Sequence, residues 1–573
     1  MAEKIVSPGV FTREQDTSFL TPAPAEVSTA LVGPAVKGPI DIPTVVRSYG
    51  EYTAVYGDRF LSGSDYYEHL TALAAEKFFE QGGNSLLVTR VADGSFASAT
   101  ATVASASTDL FTLQTIAEGI IMNNTGSVGA NGALTSGTAD NVRWEITDKN
   151  STLGTFTLVI RRGDDTGKNK IILETFTNVS LDPNSDNYIA KRIGDVSYSV
   201  NGSDIIESGE YPNKSAYVRV SNVATKQVDY FDNTGAAKTA YKTLWDNFVI
   251  GSGSYHGTFA SATGTIVPGG ANWFENINAT DTQGLAVSTG AVVAYDNALA
   301  VLANKDAFNF NVVLTPGLNQ EHHATTVGSF IDLVEDRGDA IYVADLTSYG
   351  ASTSTATTEA GELNSSYAAS YWPWVKIQAQ GIARQVWAPA SVVMGGVFAF
   401  NDAVSAEWFA PAGLIRGGIP GVMKAERKLS QSDRDTLYLG KVNPLATFPG
   451  SGVVAYGQKT LQTKASALDR VNVRRLLINL KRFIGGQSNS LVFEQNTIAT
   501  RNRFLAAVNP YLETVVQRQG LYAYRVVMDD TNNTADVIDR NQLVGQIFIQ
   551  PTKTAEFIVL DFVVQPTGAT FGA

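Results

Sequence analysis

The feature that most constrains this chain is an α/β grammar that breaks off and resumes far downstream. Near the start, Thr29-Ala30-Leu31-Val32-Gly33-Pro34-Ala35 predicts a strand stopped by proline. Tyr66 to Glu80 predicts a helix ending at Gly82-Gly83, and Ser85 to Val91 a buried strand. Later, Val292 to Leu302 predicts a helix and Phe310-Asn311-Val312-Val313-Leu314 a strand stopped by Pro316. Ala324 to Glu335 predicts a helix, and Ala340-Ile341-Tyr342-Val343-Ala344 a strand. Neither half buries its apolar faces alone, so the two together are expected to complete one α/β layer domain.

The intervening stretch has another texture. From Asp93 to about Thr282 it is rich in Ser, Thr, Asn, Gly and Ala, with short alternating runs such as Arg143-Trp144-Glu145-Ile146 and Phe156-Thr157-Leu158-Val159-Ile160. That predicts β-rich material inserted into a surface loop, with an internal break near Asn201-Gly202-Ser203. A receptor- or glycan-binding role for this lobe is a minor reading.

From about Ala403 the pattern is helical. Ser466-Ala467-Leu468-Asp469 has capping-box spacing, and Val473, Leu476, Leu477, Leu480, Phe483 and Ile484 recur at helical intervals before Gly485-Gly486. Arg470, Arg474, Arg475, Lys481 and Arg482 take much of the other face. A second helix is predicted from Gln495 to Val508, and a third from Pro510 to before Gly520. Strands follow at Leu521 to Met528, Leu543 to Gln550 and Glu556 to Val564. The expected fold is α+β and multidomain: arm 1–27; an α/β layer domain from 28–95 with 283–402; a β-rich insertion 96–282; and a C-terminal helices-on-sheet domain 403–573 ending in an arm strand.

Both ends look made for pairing. Pro8 and Pro22 make the first segment, with Val6, Val10 and Phe11, a poor inner strand but an acceptable edge arm. At the other end, Phe557-Ile558-Val559-Leu560-Asp561-Phe562-Val563 forms an apolar strand. Both segments are expected to act as inter-subunit arms.

Composition removes several function classes. The 573 residues exceed a single core, and 44% apolar with 17% charged is ordinary globular composition. The richest apolar run, Val392 to Phe400, falls short of a membrane span, and Met1-Ala2-Glu3-Lys4 lacks the form of a signal peptide. With no cysteine there is no disulfide, thiolate catalysis or Cys-based zinc site. The net charge of −12 argues against non-specific nucleic-acid binding, although Ser466 to Arg525 holds nine Lys/Arg against three Asp/Glu. That asymmetry suits either self-complementary packing or a solvated basic face.

Enzyme motifs fail individually. Gly163-Asp164-Asp165-Thr166-Gly167-Lys168-Asn169 is one residue short of a phosphate loop and lacks its Ser or Thr, so it predicts a hairpin turn. No nucleophile elbow or dinucleotide fingerprint is present. Of His69, His256, His322 and His323, the last two follow Glu321 in poor metal geometry, and a helix-start turn is expected there. Asp529-Asp530-Thr531-Asn532-Asn533 lacks the Gly and closing Glu of a calcium loop, Arg540 standing at the twelfth place. No enzyme activity, cofactor or metal is expected.

Several strings together resemble contractile phage tail sheath proteins, relatives of R-type bacteriocin and type VI secretion sheaths. The N-terminal match is Ser7-Pro8-Gly9-Val10-Phe11-Thr12-Arg13-Glu14 with Val32-Gly33-Pro34-Ala35-Val36-Lys37-Gly38-Pro39. The C-terminal match runs through Ala410-Pro411-Ala412-Gly413, Arg416-Gly417-Gly418, Asn443-Pro444, Phe448-Pro449-Gly450-Ser451-Gly452-Val453, Lys459-Thr460-Leu461, Val471-Asn472-Val473-Arg474-Arg475-Leu476, Val492-Phe493-Glu494-Gln495-Asn496 and Ala555-Glu556-Phe557-Ile558. The resemblance covers about 1–95 and 285–573. It implies a homo-oligomer of stacked six-fold rings, helically arranged around a tail tube protein, with baseplate and tail terminator proteins as further partners. It implies a place in the virion tail after assembly in the host cytoplasm, no membrane insertion and no direct nucleic-acid contact. Arms lent between subunits would complete shared sheets, and contraction would drive the tube through the host envelope. The inner C-terminal domain would turn Arg470, Arg474, Arg475, Lys481 and Arg482 toward the tube or a neighbour. A β-rich fibre or adhesin subunit and an unpatterned hydrolase are the alternatives.

Overall fold

The computed structural model describes residues 29–62, 65–248, 257–265, 274–275, 277–286 and 293–556. Its centre is an eight-stranded sheet. The spatial order is Thr44–Val46, Leu86–Arg90, Thr29–Gly33, Val312–Asn319, Ile341–Asp345, Ala368–Trp372, Asn443–Phe448, Gly452–Ala455. The six inner strands are parallel, and each edge strand is antiparallel to its neighbour. Thr29–Gly33 joins the two halves of the chain, pairing Leu31 with Val88 on one side and with Leu314 on the other.

The continuous apolar runs follow from burial on both faces. Leu31, Val88, Leu314 and Val343 enter one core with the helices Leu70–Glu80 and Ala390–Val404. Their neighbours Ala30, Leu87, Val313 and Tyr342 enter the other, under Val293–Leu302, Gln320–Arg337 and Thr353–Glu362. The apolar run Val392 to Phe400 is thus a core helix. It lies so close to Leu70–Glu80 that a Cβ on Gly396 would stand 2.7 Å from the Lys77 carbonyl oxygen.

Several local expectations change. The helix expected from Tyr66 starts at Leu70, because Asp65–Glu68 pairs antiparallel with Arg59–Ser62. A helix at Tyr49–Tyr56, capped by Ser48, was not anticipated. Pro316 does not stop its strand: the register shifts between Leu314 and Asn319, and an irregular stretch can hold a residue with no N–H to donate. The main sheet also takes two strands, Asn443–Ala455, from beyond the expected domain start at 403.

Residues from 98 to 262 carry a core of their own around Phe111, Trp144, Phe156 and Trp245. Two three-stranded sheets build it, one from Ser98–Ser105, Thr108–Glu118 and Val218–Asn222, the other from Val142–Asn150, Thr155–Arg162 and Ile172–Ser180. Gly202, where a break was expected, sits at the tip of a hairpin between Ser197–Asn201 and Asp204–Ser208 and takes φ 65°. Gly163 to Asn169 does form a hairpin turn, but Asp165 within it is fully buried on Arg143 and Arg161.

The C-terminal part has two long helices, Val471–Asn489 and Ile498–Gln517, and a two-stranded sheet of Leu521–Val527 with Gln546–Pro551. Ser466 caps a 3-10 turn at Ala467–Asp469 rather than the helix itself. Gly485-Gly486 does not end the first helix, since neither glycine takes a positive φ. Pro510 starts no new helix: it lies inside Ile498–Gln517, which buried Val508, Leu512 and Val515 hold against the core on both sides of it. The expected strand from Glu556 to Val564 lies outside the described residues beyond Glu556. So do the expected arm residues Val6, Pro8, Val10, Phe11, Phe557, Ile558, Val559, Leu560, Phe562 and Val563.

Candidate assembly surface at the C-terminal helices

The basic residues of Val471–Asn489 do not share one outward face. Arg474 and Arg475 are 4% and 1% exposed, which corrects the expectation that both reach a tube or a neighbour. The cause is that the helix lies between two cores. Val471 and Ile478 belong to the main sheet's core, and Leu476 and Leu480 to the C-terminal one. Arg475 makes a bidentate pair with Asp402, at 2.8 and 2.5 Å, and stands 4.9 Å over the Phe398 ring. Arg474 bonds the Ser366 hydroxyl and carbonyl and lies 3.9 Å over the Tyr367 ring, where burial lowers its pKa. Lys481 is exposed and donates to the Tyr367 hydroxyl at 2.9 Å, and Arg482 is half-buried.

Arg470 has a different role. Its Nε and Nη2 donate to Glu556 at 2.7 and 3.0 Å, and the Tyr438 hydroxyl and Gln458 amide donate to the same carboxylate. Burial alone would raise the Glu556 pKa, but hydrogen bonds from Arg470, Tyr438 and Gln458 outweigh it and hold it below the usual value. This knot anchors the chain at the last described residue, just before the expected C-terminal arm. The expected strand motif held Glu556, but nothing in the sequence pointed to Tyr438 or Gln458 as its partners.

The nearby Leu521–Val527 and Gln546–Pro551 ribbon has two strands, and no third strand joins it among the described residues. Such ribbons are marginal alone, and open edges invite further strands. Helix Ile498–Gln517 packs on one side of it.

The suspected chemical motifs are structural turns. His323 lies in the first turns of Gln320–Arg337, accepting from Asn319 N–H at Nδ1, while its Nε2 stands 3.1 Å from the Asn278 carbonyl. Burial lowers its pKa to about 4. Asp529 accepts from Thr531 N–H and hydroxyl in a polar turn, and Arg540 pairs with Asp536. Among the described residues no group of three or more His, Asp or Glu is placed to hold a metal ion, and no helix is long and apolar enough to cross a membrane.

Residues 291–461 match the family model of the phage tail sheath protein central domain, and 463–565 that of the phage tail sheath C-terminal domain. A tail sheath protein of Vibrio phage KVP40 is 42% identical over 188 residues, 33% of this chain and 28% of that protein. One of Enterobacteria phage T4 is 43% identical over 185 residues, 32% of this chain and 28% of that protein. The chain therefore aligns with less than a third of the length of these relatives. A crystal structure of a sheath tail protein from Listeria innocua shares the fold, with a TM-score of 0.51 at 11% identity over 89% of this chain and 90% of that one.

Proposed function

Because the chain belongs to the phage tail sheath family through its central and C-terminal domains, we propose that it is a structural subunit of a contractile phage tail sheath. It polymerises as a helical array around a tail tube and shortens to drive that tube through the host envelope. The role is structural, not enzymatic. Its domains are the sheet-centred unit, the β-rich insertion on the outside of the sheath and the C-terminal helices on the inside.

One observation beyond the family match supports the reading: among the described residues no strand pairs with either edge of the ribbon at Leu521–Val527 and Gln546–Pro551, and the chain leaves it through an anchored Glu556. Arm residues from 1–27 and 557–564 of neighbouring copies are the strands that complete it. Backbone pairing gives a tether tolerant of side-chain drift, and a head-to-tail contact that does not close on itself builds a helix. Arg470 holds the root of the arm. Lys481, the exposed member of the basic row, offers a tube or neighbour contact of about 0–1 kcal/mol, weak enough to release.

Negative-stain electron microscopy of the purified chain tests this. Regularly striated tubes are expected, and their loss on deleting the first twenty and last fifteen residues. Dispersed particles from the intact chain at every concentration, or ordinary tubes from the truncated one, overturn it.

A further inference from the structure

Phe493 is 100% exposed and takes φ 69°, a left-handed conformation that is rare for an aromatic residue. Val492 beside it is exposed, as is Ile498 where the next helix begins. The loop beneath is rigidly held. Leu491 is buried in the C-terminal core, and Asn496 donates to the Gln542 carbonyl at 2.8 Å while accepting from Arg501 at 2.9 Å. A fully wet aromatic ring on a pinned loop is a preorganised knob.

The same chain exposes a separate apolar patch. Phe400 and Val404 lie one turn apart at the end of Ala390–Val404, and the short helix Gly413–Arg416, which packs against that helix, exposes Leu414 and Ile415, the latter 85% exposed. Charges beside the two features are opposite. Glu494 follows the knob and is exposed, with exposed Arg503 3.4 Å away. Arg416 follows the patch, stacked 5.0 Å over Phe409 with its Nε on the Ala410 carbonyl.

We infer that the Val492-Phe493-Ile498 knob of one copy docks on the Phe400-Val404-Leu414-Ile415 patch of a second copy, with Glu494 meeting the partner's Arg416. The inference rests on the sheath reading and adds a specific side-chain contact to it. A knob and its receptor on different parts of one chain make a heterologous contact, which propagates rather than closes. The area is far below what a stable isolated dimer needs, so the contact acts only when many repeat together in a polymer.

The absence of cysteine makes the test clean. Phe493→Cys and Ile415→Cys variants are purified separately, mixed, polymerised and oxidised. A disulfide-linked dimer is expected from the mixture in tubes and not from either variant alone or from unpolymerised protein. Phe493→Ser should raise the critical concentration for polymerisation by about 30-fold, the equivalent of an exposed rather than buried Phe. It should leave the circular dichroism of the monomer unchanged. Tubes that form normally with Phe493→Ser and give no cross-link in the mixture overturn the inference while leaving the sheath reading intact. An unsubstituted chain that never forms tubes overturns the reading on which it rests.

Discussion

Replacing Arg475 by Met is expected to loosen the monomer before it touches assembly. The guanidinium is 2% exposed at its side chain and spans two bonds to Asp402, itself 21% exposed. Removing one partner of a buried pair costs about 3–5 kcal/mol, chiefly because the other charge is left without compensation. Asp402 has some access to water, which places the expected cost at the low end, about 3 kcal/mol. Native-state hydrogen exchange reads it directly: protection at Leu476, Ile478 and Leu480 should fall by on the order of 100-fold. Adding Asp402→Ala to Arg475→Met should cost little more, since the stranded charge is gone. Unchanged protection in a variant that no longer polymerises would refute this reasoning and return Arg475 to an interface.

Three further outcomes follow from the packing. Glu68 is 0% exposed, and burial, with Glu76 and Asp58 nearby, raises its pKa from 4.5 to about 8. The folded state then holds its proton between those values while the unfolded state does not. Stability should fall as pH rises from about 4.5 to 8, by a few kcal/mol, and Glu68→Gln should flatten that part of a melting-temperature profile; parallel profiles would contradict the assignment. Gly486→Ala places a Cβ in open space within a helix, so it should stabilise the chain by about 0.5–1 kcal/mol in denaturant titrations; a loss of stability would show that this glycine is needed for its backbone. Gly396→Ala drives a Cβ toward the Lys77 backbone and should cost about 1–3 kcal/mol; a neutral outcome would mean that the two helices separate easily.

The strands of the main sheet were legible because burial on both faces leaves unbroken runs such as Leu86 to Val88 and Ile341 to Ala344, which read the same in one dimension as in three. The helical period of Val473, Leu476 and Leu480 was equally plain. Pro316, Pro510 and Gly485-Gly486 misled because local punctuation is worth only about 1–3 kcal/mol, which packing along an element overrides.

What the sequence by itself determined was the alternation of strands and helices, the strings that resemble sheath proteins, and a helix with one apolar stripe and one row of arginines. Only the tertiary structure decided what covers that second row. Periodicity says which side chains share a face, and it assigns the charged face to water by default. Here the helix is wedged between two cores that come from distant parts of the chain, so Arg474 and Arg475 meet Ser366, Tyr367 and Asp402 in the seam. Burial of a charge depends on partners far away in sequence, and no local pattern carries that information.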